Sequence, residues 1–481
     1  MNQPIIPFAL TYDDVLIVPR RSNFSSRSEA STRTRLTKSL FINTPIVSAN
    51  MDTVTEADMA IALARVGGIG ILHRFMSIEA NVEQVKQVKR AQNFIINNPY
   101  IIDPEKTVTE AEEFTRAVGV TGILVAESDR KLLGILSSRD FFLANGDSIH
   151  LKVKDIMTHR EKLVVGHAHT TFKEAKEIFA KNKIGKMPLV DEENHIVGLI
   201  TSDDLQNIIQ YPLANCDSSG QLIVGASVGV HGDFIERAEA LVRAGVDVLV
   251  IDIAHGHSEH MFKAIAAIRE HCGAIQIIAG NIATAQAAKD LCEAGADALK
   301  VGVGPGTTCI TRLVTGCGVP QLTAVMEVAR VAKEYGVPVI ADGGIQKSGD
   351  IVKAIGAGAD TVMLGGMLAG TEESPGVVMK RGDKKFKVCR GSASFSVSYK
   401  RKNINLEKKD LNDVVPEGVE SLVPYKGPVI DIVSQLIGGL KSGMSYTNSH
   451  TIVELQNNVN FVRITNAGAR ESGPHDIDVI N

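Results

Sequence analysis

Short apolar runs alternate with amphipathic segments along most of this 481-residue chain, and that alternation restricts the fold more than any other feature. The runs are Pro45–Ala49, Gly68–Leu72, Leu222–Val228, Val248–Ile253, Ile275–Gly280, Ala298–Val303, Pro338–Asp342 and Thr361–Gly366. Each has the length and β-branched content of a strand. Between them, stretches such as Glu56–Val66, Asp233–Ala244 and Ala285–Ala294 repeat their apolar residues at helical spacing. Strands that read as unbroken apolar runs are buried on both faces, which is the condition of a parallel sheet covered by helices. Eight such units predict an α/β protein built on a (β/α)₈ TIM barrel. An open, doubly wound sheet is the alternative. No GxGxxG follows an early strand, however, and polar residues mark the ends of many strands, which favours the barrel.

The alternation is interrupted by a repeat. Thr107, Glu110, Ala111, Gly134 and Asp140 each meet the same residue type 64 positions later, at Thr171, Glu174, Ala175, Gly198 and Asp204. Each copy reads as helix, two short strands and helix. The duplication resembles a tandem CBS (Bateman) pair, a family that binds adenine or guanine nucleotides between its halves. That resemblance implies regulatory nucleotide contacts at Ser137 with Asp140 and at Thr201 with Asp204, and ATP, GTP or GMP as occupants. A duplicated structural module with inactive clefts is the other reading. The expected division is therefore a barrel from residues 1–92 and 213–481, a tandem CBS domain at 93–212, and a flap at about 385–425.

Totals exclude several function classes. Net charge is −4 with a sequence pI near 6.4, so nothing biases the chain toward nucleic acid or an anionic membrane. No apolar run is long enough to span a bilayer, and the N-terminus has no secretory pattern, so a cytoplasmic location is expected. Six cysteines lie scattered without a CxxC pair and read as free thiols.

Polar residues at strand ends converge on one mouth of a barrel. Here they are Asn50-Met51-Asp52, Asp252 with His255 and His257, Asn281, the loop Lys300–Arg312, Asp342-Gly343-Gly344 and Gly365-Gly366. The two glycine pairs suit a phosphate, and Asp342 suits ribose hydroxyls. In the loop, Gly302, Gly304 and Gly306 allow positive φ, and Cys309 is flanked by Thr311 and Arg312. That pattern fits a nucleophile whose thiolate a cation favours, and equally a turn holding a packed thiol. His255, His257 and His260 raise a metal only weakly, because no carboxylate partner has a fixed spacing to them.

With a barrel interrupted by a CBS pair and a GxGPGxxCxTR loop, the chain resembles the IMP dehydrogenase/GMP reductase family over essentially its whole length. The resemblance implies that Cys309 attacks carbon 2 of a purine and that Thr311 and Glu417 relay protons. It implies substrate contacts at Met51, Thr307, Asp342, Gly343, Gly344, Gly365, Gly366, Arg390 and Gly391, and cofactor contacts at Asp252, Ala254, His255, Asn281 and Gly302. It implies a potassium ion on the carbonyls of Gly304, Gly306 and Cys309, completed by Glu471, Ser472 and Gly473 of a neighbouring subunit in a homotetramer or octamer. Of the two branches, the dehydrogenase activates water with an Arg-Tyr pair on its flap, and no Arg-Tyr dipeptide occurs in this chain. The segments Ser258–His260, Pro320–Leu322 and Leu364–Leu368 also resemble reductases, whereas the CBS pair, Asp252–Gly256 and Arg470–Asp476 resemble bacterial dehydrogenases. Arg390-Gly391-Ser392-Ala393 departs from the family's usual Arg-Gly-Met-Gly in either branch. The expected activity is NADPH-dependent reduction of GMP to IMP and ammonia, with IMP oxidation by NAD as the rival and a catalytically weak nucleotide sensor as a third reading.

Overall fold

The computed structural model describes residues 6–92, 94–143, 151–399 and 415–474. The chain forms two compact units, one of residues 1–91, 213–217 and 222–481, the other of 92–212 and 218–221.

In the first unit eight strands close a parallel barrel: β1 (Ile46–Ser48), β2 (Ile69–Leu72), β3 (Gly225–Val228), β4 (Val248–Asp252), β5 (Gln276–Ile282), β6 (Ala298–Val301), β7 (Val339–Asp342) and β8 (Thr361–Leu364). Pairing of β8 with β1 and of β2 with β3 completes the ring, so the strands flanking the inserted sequence are direct neighbours. Their helices are α1 (Ala57–Arg65), α2 (Ile78–Arg90), α3 (Phe234–Arg243), α4 (Glu259–Cys272), α5 (Ala285–Glu293), α6 (Gln321–Glu334), α7 (Ser348–Gly356) and α8 (Val429–Tyr446).

The two-residue period of each strand divides the core. In β4, Val248 and Val250 belong to the cluster inside the barrel, while Leu249 and Ile251 pack outward against the helices. Both faces are dry, which is why these strands read as continuous apolar runs. Residues 222–224 precede β3 and do not join it, because Ile223 donates its N–H to the Asn215 carbonyl at 3.0 Å. At the other boundary β5 runs on through Asn281 to Ile282.

A short hairpin, Thr34–Arg35 with Phe41–Ile42, closes the end of the barrel where the strands begin. Leu36 and Ile42 are fully buried in the inner cluster, contributing about 1.5–3 kcal/mol each. Thr34 Oγ1 donates to the Asp360 carbonyl, and Lys38 N–H to the Asp297 carbonyl, just before β8 and β6. With that mouth plugged, a ligand has the opposite mouth, where the strands end. After β8 the strands Met379–Arg381, Lys384–Arg390 and Glu420–Pro424 form an antiparallel sheet.

The second unit contains two helix-strand-strand-helix copies. The first is Val108–Val118, Gly122–Ala126, Leu132–Ser137 and Ser138–Leu143; the second is Phe172–Asn182, Lys186–Val190, Ile196–Thr201 and Ser202–Gln210. The repeated Thr and Glu are capping boxes, in which Thr107 and Thr171 accept from the third helical N–H while Glu110 and Glu174 reach back. No helix among the described residues is long and apolar enough to cross a membrane.

Candidate active site

A cavity of about 390 Å³ occupies the open mouth and takes lining residues from the ends of all eight strands, among them Met51, Arg74, His231, Asp252, Asn281, Lys300, Asp342 and Met363. The loop after β6 supplies one wall. Gly302 (φ 151°) and Gly304 (φ 85°) adopt conformations that disfavour a side chain, and a Cβ on Gly302 would lie 2.0 Å from the Asp342 carbonyl oxygen. Gly306 does not share the positive φ expected of all three glycines; its carbonyl closes a turn by accepting the Cys309 N–H at 3.0 Å. Nor does Arg312 stand as the thiolate's cation. Its guanidinium donates to the carbonyls of Val303 at 3.1 Å and Val319 at 2.6 Å, which braces the loop.

Cys309 is half-buried in the cavity wall. The strip on which it sits pairs with the returning edge of the flap. Ile310 N–H donates to the Glu417 carbonyl at 2.8 Å, Val419 N–H to the Thr308 carbonyl at 2.9 Å, and Cys309 faces Gly418. That register delivers Glu417 to the loop. The thiol lies 3.2 Å from Thr311 Oγ1, and the Thr311 hydroxyl donates to Glu417 Oε2 at 2.7 Å. A sulfur, a hydroxyl and a carboxylate are thus joined by hydrogen bonds, the connectivity that lets a proton move between a bound group and a carboxylate.

Opposite this chain lies a buried cation. Lys300 shares the inner face of β6 with Ala298 and is 2% exposed, and its ammonium touches Asp252 Oδ1 at 2.7 Å, Asp342 Oδ2 at 2.8 Å and Asn281 Oδ1. Asn281 also donates to Asp342 Oδ2 at 2.9 Å and to the Gly302 carbonyl at 2.8 Å. Among the described residues, Asp342 Oδ1 receives no hydrogen bond and remains an acceptor at the cavity. Burial opposes charge on both Lys300 and Asp252, but their mutual attraction outweighs it, so Lys300 is raised and Asp252 lowered from their ordinary values.

The IMP dehydrogenase / GMP reductase domain matches residues 9–475. The chain is 50% identical over 473 residues to inosine-5′-monophosphate dehydrogenase of Nitrosopumilus maritimus, covering 97% of this chain and 98% of that protein. It is 49% identical over 485 residues to GMP reductase of Leishmania donovani, covering 98% of each. A crystal structure of a GMP reductase variant from Trypanosoma brucei in complex with guanosine 5′-monophosphate superposes with a TM-score of 0.92 at 48% identity, over 98% of this chain and 99% of that one. The chain belongs to the IMP dehydrogenase/GMP reductase family. It is an oxidoreductase of that family, whose chemistry uses a nicotinamide cofactor.

The other residues expected at the family's substrate site fall around the same mouth. A Cβ on Gly366 would meet Thr307 Oγ1 at 2.7 Å, one on Gly365 the Met51 sulfur at 3.0 Å, and one on Gly343 the Pro305 ring at 2.9 Å. The Gly366 backbone therefore runs close to Thr307, that of Gly365 close to Met51 and that of Gly343 close to Pro305 and Gly306, with Gly344 (φ 80°) next along the turn. Lys426 secures this corner by donating to the Gly366 and Met367 carbonyls at 2.7 and 3.0 Å. Arg390 donates from Nε to Asp52 at 3.0 Å and from its backbone to Thr53, tying the flap's base to the β1 loop, and Gly391 follows it in the cavity wall.

Of the residues expected on the cofactor side, Asp252, Ala254, Asn281 and Gly302 line the cavity, whereas His255 is exposed and outside its lining. His257 pairs with Asp290 of α5 at 2.8 Å, His260 stacks edge-on with His231, and no metal-binding cluster occurs among the described residues. Among the described residues, no main-chain N–H bonds the carbonyls of Gly304 and Cys309, which leaves them able to hold a cation. Glu471 ends the helix Asn466–Glu471, Ser472 Oγ donates to the Gly468 carbonyl at 2.9 Å, and Gly473 N–H donates to the Arg470 carbonyl.

In the second unit the Ser137 and Thr201 hydroxyls donate to Asp140 and Asp204, each pair closing on itself at the start of a helix. A cavity of about 360 Å³ in that unit is lined by residues of the first copy, Glu112, Thr115, Arg116, Val120, Thr121, Ser138 and Phe141, of which Ser138 follows Ser137. Residues 400–414, including Arg401, the cation expected to replace the missing flap arginine under the dehydrogenase reading, and tail residues 475–481 lie outside the described residues. In the sequence Lys300 reads only as the start of the loop, and Arg74 and His231 belong to no motif. A lysine in an otherwise apolar strand was a usable signal, since a buried charge requires partners.

Proposed function

We propose that the protein is a GMP reductase, converting GMP and NADPH to IMP, ammonia and NADP. One observation carries this reading: a GMP reductase crystallised with GMP matches the chain over nearly its full length, the second unit included. The flap supports it, because Ser394–Asp410 contains no Arg-Tyr pair to activate water.

In this scheme the Cys309 thiolate adds to carbon 2 of GMP, and Thr311 with Glu417 passes a proton to the 2-amino group as ammonia leaves. NADPH supplies a hydride to carbon 2 when bound. The carbon–sulfur bond then breaks, the electron pair returns to Cys309, and IMP is released. Asp342 accepts the ribose hydroxyls, while Gly343, Gly344, Gly365, Gly366 and Thr307 hold the phosphate; Met51, Arg390 and Gly391 border the nucleotide. Asp252, Ala254, Asn281 and Gly302 face the nicotinamide, with His255 at the margin. Carbonyls of Gly304, Gly306 and Cys309 would hold a potassium ion, with Glu471, Ser472 and Gly473 of a neighbouring subunit completing the site in a tetramer. The second unit acts as a CBS pair binding purine nucleotides through Ser137, Asp140, Thr201 and Asp204, a reading consistent with a T. brucei GMP reductase crystallised with guanosine 5′-triphosphate.

IMP dehydrogenase is the second reading, favoured by the identity to the N. maritimus enzyme. Mixing the protein with GMP and NADPH, and separately with IMP and NAD, separates the two by reduced-nicotinamide absorbance. Consumption in the first mixture supports the reductase, production in the second overturns it in favour of the dehydrogenase, and silence in both leaves a nucleotide sensor.

A further inference from the structure

We propose that Lys300 is a positioning residue that couples the nucleotide half of the cavity to its nicotinamide half. The inference rests on the assignment of Asp342 to the ribose and of Asp252 and Asn281 to the cofactor, and it holds for either direction of the chemistry.

The geometry behind it is a single ammonium at the junction of four strands. Lys300 rises from β6 and meets Asp252 at the end of β4, Asn281 in β5 and Asp342 at the end of β7. Two carboxylates, one from the end of β4 and one from the end of β7, therefore share one counter-ion. At 2% exposure no water replaces it, so its attraction to each carboxylate is weakly screened. The same Asp342 oxygen that meets Lys300 also accepts from Asn281, and Asn281 is fixed in turn by the Gly302 carbonyl of the Cys309 loop. The charged groups facing this centre are Asp252, Asp342 and Arg74, the last attracting Asp252, with the buried Tyr12 hydroxyl near Asp342. Asn50 adds a hydrogen bond to Asp252.

A ligand that draws Asp342 toward the ribose shifts the ammonium's balance toward Asp252 and Asn281, and a ligand at the nicotinamide side shifts it back. Binding at one side thereby changes affinity at the other, and the change is reciprocal. Removing the cation severs that connection and leaves two buried carboxylates in repulsion.

The test uses the full chain carrying Cys309→Ala, so that ternary complexes form without turnover. Nucleotide binding is titrated by calorimetry with and without saturating dinucleotide, using GMP with NADPH and IMP with NAD. The proposal expects a change of about fivefold or more in nucleotide affinity on adding dinucleotide. Adding Lys300→Met should bring that factor to about one. A merely structural lysine would alter affinity or melting temperature but not the factor. Persistence of the factor in Lys300→Met, or its absence in the parent, overturns the proposal. Lys300→Arg carries the same test should the methionine variant fail to fold; its altered geometry must shrink the factor, and an unchanged factor overturns the coupling. Asp342→Asn in the same background separates the underlying assignment, since unchanged nucleotide affinity there removes the ribose role and the coupling with it.

Discussion

Thr311 and Glu417, 106 residues apart in the chain, meet through a 2.7 Å hydrogen bond beside the Cys309 thiol. The pairing of 308–310 with 417–419 sets this contact, and it places a carboxylate two bonds in hydrogen-bond terms from the sulfur. Glu417→Gln keeps the shape and removes the proton acceptor. Turnover should fall by about 10²–10⁴, while nucleotide affinity measured by calorimetry stays within about threefold of the parent, since Glu417 does not touch the Asp342 network. A variant that turns over normally would remove Glu417 from the proton path.

Asp342 is the acceptor that Lys300 and Asn281 hold by one oxygen. In the proposed ribose role, replacing it by Asn would lose charge-assisted hydrogen bonds worth about 1.5–3 kcal/mol. The dissociation constant of the nucleotide should rise by about ten- to a hundredfold.

The Lys300 centre also sets a pH window. Lys300 is raised above its ordinary 10.5, so its stabilising share is complete below that value and is lost as pH climbs through the raised one. Asp252 is lowered below its ordinary 3.8, so its share is complete above that value and is lost as pH falls through the lowered one. Urea unfolding should therefore show no contribution from this pair to the pH dependence between about pH 5 and 9. In Lys300→Met the two carboxylates repel, one of them holds its proton to higher pH, and stability should decline from acid toward neutral pH. A variant whose pH dependence matches the parent's over that range would contradict the assigned charges.

Two helices of the second unit end in left-handed residues, Gly119 at φ 71° and Lys183 at φ 53°. Lys183 occupies the position that its sister copy fills with glycine, and a side chain there is strained. Lys183→Gly should stabilise that unit by about 0.5–1 kcal/mol, read from the shift of its urea transition. A destabilised variant would show that the lysine side chain makes a contact outweighing the strain.

Gly302→Ala tests the loop. Its Cβ would fall 2.0 Å from the Asp342 carbonyl in a backbone region that disfavours side chains. The loop or β7 must shift, and a loss of turnover with a lowered melting temperature is the expected pair of results; intact turnover would show that the role proposed for Cys309 does not depend on this loop's geometry.

The barrel was legible because its strands are buried on both faces, so each wrote an unbroken apolar run into the sequence and the two-residue period carried the rest. The repeat was equally legible, since capping boxes at Thr107 and Thr171 are local. So was most of the Cys309 loop, because the positive φ of Gly302 and Gly304 follows from backbone geometry within a few residues, although Gly306 does not share it. The residues that the family likeness assigns to the substrate surround one mouth in the structure.

Only the tertiary structure decided how the charges pair. Lys300 reads in the sequence as one polar residue in a strand, and its partners stand at 252, 281 and 342, at the ends of separate strands. Arg312 sits beside Cys309 in sequence yet turns its guanidinium to the carbonyls of Val303 and Val319. Glu417 reaches Thr311 only because two edges align in one register. Local sequence determines backbone shape, since the forces there act over a few bonds. Electrostatic partners are chosen by which strand ends the closed barrel brings within about 3 Å, and that distance exists only in the folded chain.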